Sequence, residues 1–379
     1  MDDLEPTDLM RALNDVPLIR ELQRMVTSNP GPINWEIAQQ IARAVAGAGK
    51  LTHAPTKSDI DDFTEDCRIA ELQIAARTGS DPSHSITETS VLDRKAWADL
   101  NLDILRPLLE KLALHLGQQL TAAPIPQFQS ALGALTPFFF GIQVGFLIGY
   151  LSRRVLGQSE LMLPSSERAP ARFVLPNITQ AQADLELDAQ QFRLWLAMKE
   201  VAHRLRYQDV PWGAPYLDSL VTSYIEGGSI DANELRNRIQ SLGDAEEISA
   251  VLERPEELIP LLATPEQEQT LSRIQVFLSL IEGHVEWTLD LIGPDLLPQY
   301  ERIREAVNRR RVERSSAEKL LVRLLGLDLR HEHYRAGIGF IRTVSSAQKL
   351  DLLWTDPTSL PTLDELGEPS AWLARVAFS

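Results

Sequence analysis

Cysteine is the scarcest chemical resource in this 379-residue chain, which has one, Cys67. A single cysteine excludes an intrachain disulfide and a cysteine-rich metal site. Positive charge is also short: 37 Lys and Arg stand against 53 Asp and Glu, for a formal charge of -16. A nucleic-acid surface needs clustered positive charge, so polynucleotides are excluded as partners, and anionic membranes fit no better. Glycine-rich phosphate loops of the G-x-x-x-x-G-K-[ST] or G-x-G-x-x-G type are absent. The first residues, Met1-Asp2-Asp3-Leu4-Glu5, are acidic and lack the apolar core of a signal peptide. With no disulfide to protect, a cytoplasmic location is the expectation. Hydrophobic content of 44% and charged content of 24% are those of an ordinary globular protein.

One apolar run tests the membrane exclusion. Ala131 to Ser152 carries no charge and is followed by Arg153 and Arg154. Its length could span a bilayer, but Pro137 and Gln143 interrupt it. Gly141, Gly145 and Gly149 recur every fourth residue and share one helix face. In lipid this would be a helix-pairing face. In a globular protein it is a buried helix packed closely on a neighbour, which is the reading preferred here.

Helical periodicity dominates the rest. Helices are expected at Trp35 to Val45, Asp59 to Arg77, Leu92 to Leu120 with Pro107 as a kink, Asp188 to Tyr207, Pro265 to Ile292 and Pro298 to Leu325. Thr78 to Thr89 reads as a polar loop, and the Pro-rich tail from Leu350 as an irregular arm. Two short extended pieces, Leu161 to Pro164 and Arg172 to Pro176, predict a small β element over about 161–176. The fold class is therefore mainly α, with an N-terminal helical region over 1–125 and a core over 126–379 packed as one globular unit. The basic run Asn308-Arg309-Arg310-Arg311 reads as a solvated helix face or as partners for carboxylates, with a phosphate site as the alternative.

The chemistry lies in Lys199-Glu200-Val201-Ala202-His203. This is the H-E-x-x-H signature with its first histidine replaced by lysine. In the intact signature two histidines four apart bind one zinc, and the glutamate acts on the metal-bound water. Glu200 and His203 are in place. A lysine ammonium has three donors and no lone pair, so Lys199 is no ligand while it is charged. At helical spacing Leu196, Lys199, Glu200, His203 and Tyr207 share a face.

A catalytic zinc takes three protein ligands and keeps one position open. The distant ligand is expected from Ile281-Glu282-Gly283-His284-Val285-Glu286, where Glu282 and Glu286 share a face and His284 points elsewhere. Gly283 inside a helix costs about 1 kcal/mol relative to alanine, which suggests close approach of another group. His284 beside Trp287 also reads as an ordinary buried histidine. His331 and His333, two apart, fall on different helix faces and make a poor metal pair. Nothing local supports Ser-His-Asp or Cys-His catalysis.

Taken in order, Gly141 to Gly145, Arg153 to Gln158, Val174-Leu175-Pro176-Asn177, Leu194 to Arg204, Val210-Pro211-Trp212, Leu280 to His284, Arg309-Arg310-Arg311, Tyr334 to Gly337 and Trp354 resemble one family. It is the bacterial zincin-like hydrolase family, part of which is labelled "deazaflavin coenzyme biosynthesis associated". The resemblance spans nearly the whole chain. It implies a mostly helical zincin-like fold, a zinc-dependent peptidase or hydrolase activity and no established substrate. Carried over by position, Glu200 matches the general base, His203 the second histidine ligand, and Glu282, His284 or Glu286 the third ligand. Lys199 stands where the first ligand should be.

Two functional expectations follow. In the first, zinc is bound and Glu200 passes a proton from the metal-bound water to the leaving amine of a peptide or other small substrate. The extended segment Phe173 to Leu175 would then pair with that peptide. In the second, no metal binds, Lys199 supplies the positive charge, and the protein is a binding or scaffold relative with an inherited cleft.

Overall fold

A computed structural model describes residues 31–48, 54–80, 88–121, 126–162, 170–227, 265–312 and 331–377. Leu163 and Pro164, and the expected helix beyond residue 312, lie outside the described residues. In chain order the elements are α1 (Trp35–Ala46), α2 (Lys57–Thr78), β1 (Thr89–Leu92), α3 (Arg94–Thr121), α4 (Pro126–Leu151), β2 (Ala171–Val174), α5 (Leu175–Asp184), α6 (Ala189–Asp209) and α7 (Gly213–Glu226). They continue with α8 (Pro265–Leu296), α9 (Tyr300–Val312), α10 (His331–Ser346), α11 (Leu350–Leu353), α12 (Leu363–Gly367) and α13 (Pro369–Ala377). The fold is mainly α, as expected.

The chain divides into two compact units that interleave in sequence. One takes residues 1–48 and 98–150, the other 49–97 and 151–379. The boundary expected at 125/126 falls inside the first unit.

In the first unit, α4 lays its glycine face against α1. A Cβ on Gly141 would lie 2.5 Å from the Asn34 carbonyl oxygen, and one on Gly145 2.7 Å from that of Ala38. One on Gly149 would lie 2.7 Å from the Val45 Cβ. Real Cβ atoms do not approach that closely, so the stripe exists to bring two backbones together. Asn34 caps α1 by accepting from Ile37 N at 3.1 Å, and its own N–H donates to Pro137 O at 2.8 Å. Arg43 and Gln39 of α1 both reach Asp99 of α3. Among the described residues no helix is long and apolar enough to cross a membrane. The apolar run is a packing helix.

The second unit is built around α6. Phe63, Cys67, Ala70 and Ile74 recur along α2 and pack with Phe192, Trp195, Met198, Val201 and Leu205 of α6 in one buried cluster. Thr56 and Asp59 form a capping box at the start of α2, and Gly79, at φ 73, ends it. Phe63 stacks on Phe173 of β2 with ring centroids 4.4 Å apart. Each such aromatic, fully buried, contributes roughly 1.5–3 kcal/mol.

The β element differs from expectation in its partner. β2 pairs in parallel with β1, Thr89 opposite Ala171 through Leu92 opposite Val174. Of the extended piece expected at Leu161 to Pro164, Leu161 ends a 3-10 turn over Gln158–Leu161 and Met162 caps it. Parallel strands need a long crossover, so the partner had to lie far away in sequence, at a place read as the end of a polar loop. On its other side β2 receives Gly157, and Val174 N donates to Leu156 O at 2.9 Å. Phe173 and Val174 are therefore flanked on both sides, and the free edge expected there for a peptide is occupied. The C-terminal arm also differs, being mostly short helices. They are anchored by Trp372, which is fully buried, meets Phe340 at 5.4 Å and donates from Nε1 to Ser359 O.

α8 crosses α10 where glycines face each other. A Cβ on Gly283 would lie 2.6 Å from the Gly337 carbonyl, and one on Gly337 2.2 Å from that of Ser279. The expected reason for Gly283 is met by α10. Gly339, two residues on, has nothing within 4 Å of a built Cβ. Gly337→Ala is expected to lower unfolding free energy by about 1–3 kcal/mol through overpacking. Gly339→Ala should raise it by up to about 1 kcal/mol through helix propensity. Denaturant unfolding of both variants checks the pair, and equal effects would contradict this crossing.

Candidate functional site

α6 enters the site from a well-made N-terminus, where Asp188 accepts from Gln191 N at 2.9 Å. From Trp195 to His203 every side chain is buried. A helix apolar all round is expected in a core, but this one carries Lys199, Glu200 and His203 in the same run, at 4%, 8% and 7% exposure. Facing it, α8 buries Glu282, His284 and Glu286. So many buried ionisable groups on two facing helices must be compensating one another or holding something.

Glu282 and His203 are the pair that meets. Nε2 of His203 lies 2.7 Å from Oε1 of Glu282. The approach is close but off the direction of a hydrogen bond, and among the described residues Nε2 has no hydrogen-bond partner. The Tyr207 hydroxyl, one turn further along α6, is also buried without such a partner among the described residues. Burial, with a smaller push from the Glu282 charge, raises its pKa. Both facts mark a buried polar spot whose hydrogen-bonding capacity is unmet by the described residues.

Glu200 is held by a different element. It accepts from Ser159 N at 3.1 Å and from Ser159 Oγ at 2.5 Å. The chain can come so close because residue 157 is glycine: a Cβ there would sit 2.2 Å from Oε1 of Glu200. Burial raises the Glu200 pKa, while Ser159, His203 and Lys199 pull it down without cancelling the burial. Gly157 and Ser159 were not singled out from sequence. Gly157 lay within the stretch that carries the family resemblance, which was the available signal.

His284 faces elsewhere. Its Nε2 is 3.2 Å from Nη1 of Arg206, which makes Nε2 an acceptor. Burial and the Arg206 charge push its pKa well below 6.5, so the ring is neutral. It packs on Trp287 at 5.3 Å and Trp354 at 5.9 Å, and Arg206 lies over the Trp354 ring at 4.8 Å. Burial brings the Arg206 pKa down to about 10. Glu286, one turn beyond Glu282, acts electrostatically on Tyr300 and Arg304. Cys67 lies near enough to feel the Glu200 charge, but burial pushes its thiol up to about 12, which keeps it un-ionised and inert.

Zinc can be tested against these residues. A catalytic zinc needs three protein ligands. Two donors meet here, His203 Nε2 and Glu282 Oε1. Lys199 holds the third position, and among the described residues no three His, Cys, Asp or Glu side chains are grouped to hold a metal. The orphaned Nε2 fits an ion, but the donor set as a whole does not fit a catalytic zinc.

On α6 a helical E-x-x-H element sets its histidine against a carboxylate from a second helix. The profile for zincin-like metallopeptidases matches residues 33–373, and the chain belongs to that family. Among solved structures it is similar to "a putative hydrolase with a novel fold" from Chloroflexus aurantiacus. The identity is 25% and the TM-score 0.67, over 92% of this chain and 99% of that one. No curated protein matches.

Glu200 also provides a pH test. Because its folded pKa lies above the ordinary 4.5, the folded chain holds that proton more tightly than the unfolded one. Glu200 therefore costs nothing well below 4.5 and destabilises increasingly as pH rises through its raised value. Glu200→Gln should melt higher than the parent at pH 8, with the gap closing towards pH 4. A gap independent of pH, or one that widens in acid, would contradict this account of the site.

Proposed function

We propose that this member of the zincin-like family is a metal-free binding or scaffold protein, in which a buried charge cluster takes the place of the zinc. Lys199 supplies the fixed positive charge. Glu282 and His203 close on each other where they would otherwise share a metal, and Glu200 is kept in place by Ser159. The observation that carries this reading is the pair His203 Nε2 and Glu282 Oε1, 2.7 Å apart, with lysine at the remaining ligand position. A charged ammonium beside a bound dication would be repelled, whereas beside buried carboxylates it offsets their desolvation.

A second reading is favoured by the orphaned Nε2 of His203 and hydroxyl of Tyr207. Here the chain is a hydrolase with an impaired site, in which His203 and Glu282 would hold zinc, with Glu286 the nearest further carboxylate in sequence on α8. Zinc would supply Lewis acidity and an acidified water. Glu200 would accept a proton, and its raised pKa suits a base working near neutrality.

Lys199→His separates the two. If the charge cluster replaced a metal on an otherwise intact frame, the variant should bind about one zinc per chain, tetrahedral and with its ligands in place. Calorimetric titration with zinc chloride reads this directly. A variant that takes up no zinc would show that His203 and Glu282 are not arranged as ligands, and both readings would fall. Parent protein that binds zinc as tightly as the variant would favour the impaired hydrolase.

A further inference from the structure

The basic run Arg309-Arg310 is not used by the site above, and neither is Arg153-Arg154. The fold brings them together. Both pairs line one cavity of about 660 Å³ on the second unit, beside Arg302. Two carboxylates, Asp184 and Glu186, share the lining, which leaves an excess of positive charge in a chain whose net charge is -16. A surface that is otherwise acidic repels anions in general, so a local basic concavity selects where an anion can go.

Hydrogen bonds to the main chain build this cavity. Asn177, 3% exposed, lies in its lining and donates to Ser152 O at 2.8 Å and Val155 O at 2.7 Å. These two bonds bracket Arg153 and Arg154 and fix the turn that carries them. The Oδ1 of Asn177 accepts from Arg94 Nε at 2.7 Å. Across the cavity, α9 presents Arg302, Arg309 and Arg310. Arg302 donates to the main-chain carbonyl of Glu186 at 2.7 Å, and Arg310 donates to that of Arg154. A carbonyl orients a guanidinium without neutralising it. Arg310 also pairs with Glu160 at 3.5 Å, with both side chains largely buried, whereas Arg309 lies 4.0 Å from Glu305 with both side chains mostly exposed and the pair screened by solvent.

We infer that this cavity binds a small, multiply charged oxyanion bearing at least two phosphate or carboxylate groups. Guanidinium groups grip both through paired hydrogen bonds. The volume is that of a ligand pocket and exceeds the needs of a single phosphate. It is built from residues other than Lys199, Glu200, His203 and Glu282, so it stands or falls independently of the function proposed above.

Isothermal titration of the full chain, treated with chelator and dialysed, tests it with inorganic pyrophosphate and citrate at low ionic strength. The expected result is saturable one-to-one binding of at least one probe, weakened about tenfold or more by Arg309→Glu and by Arg153→Gln. Unchanged melting temperatures would show that both variants are folded. Preference for pyrophosphate would identify a phosphate ligand, and preference for citrate a carboxylate one. Absence of binding by both probes overturns the inference. So does binding that neither substitution weakens, because the anion would then sit elsewhere.

Discussion

Burying charge on two facing helices is the constraint on which the second unit depends. Lys199, Glu200, His203 and Arg206 on α6 and Glu282, His284 and Glu286 on α8 are all at most 9% exposed. Each would be costly alone in a low-dielectric interior. The fold answers one by one. Ser159 receives Glu200, Glu282 receives His203, and Arg206 is sandwiched between the His284 nitrogen and the Trp354 ring. Gly157 is the structural condition of the first answer, since a side chain there would hold Ser159 away from Glu200, while Gly283 and Gly337 let α10 close on α8.

On the metal-free reading proposed above, this arrangement accounts for how a zincin frame would persist without a full ligand set. In a three-ligand site the metal compensates the buried carboxylates. On the same reading, Lys199 would supply a monovalent charge from the chain itself. It is weaker than a dication but is fixed in place by α6. Glu200 is still raised in pKa, so the compensation is partial. That residual cost is what a site selected for function rather than stability would retain.

Much of this could be read in the sequence. Period-3.6 patterns located α1, α2, α6 and α8 to within a few residues, and Asn34, Thr56 and Asp188 cap the first three. The glycine stripe of α4 and the lone Gly283 announced close helix crossings before any partner was known. Long-range pairing was less legible. β1 is four residues long and pairs with a strand about eighty positions away, and no local pattern encodes that. The grip of Ser159 on Glu200 was hidden for the same reason. That His284 turns away from Glu282 and Glu286 was legible from helical spacing, but its partner Arg206, 78 positions away, was not. The basic run on α9 was visible as charge, but its convergence with Arg153 and Arg154 required the fold.

The central claim is that Lys199 stands where the metal chemistry of the family would otherwise be completed. Elemental analysis by mass spectrometry tests it most directly, on untagged protein purified without chelators and then incubated with zinc at neutral pH. The account predicts well under one zinc per chain. A stoichiometric, tightly held zinc in the parent protein would contradict it.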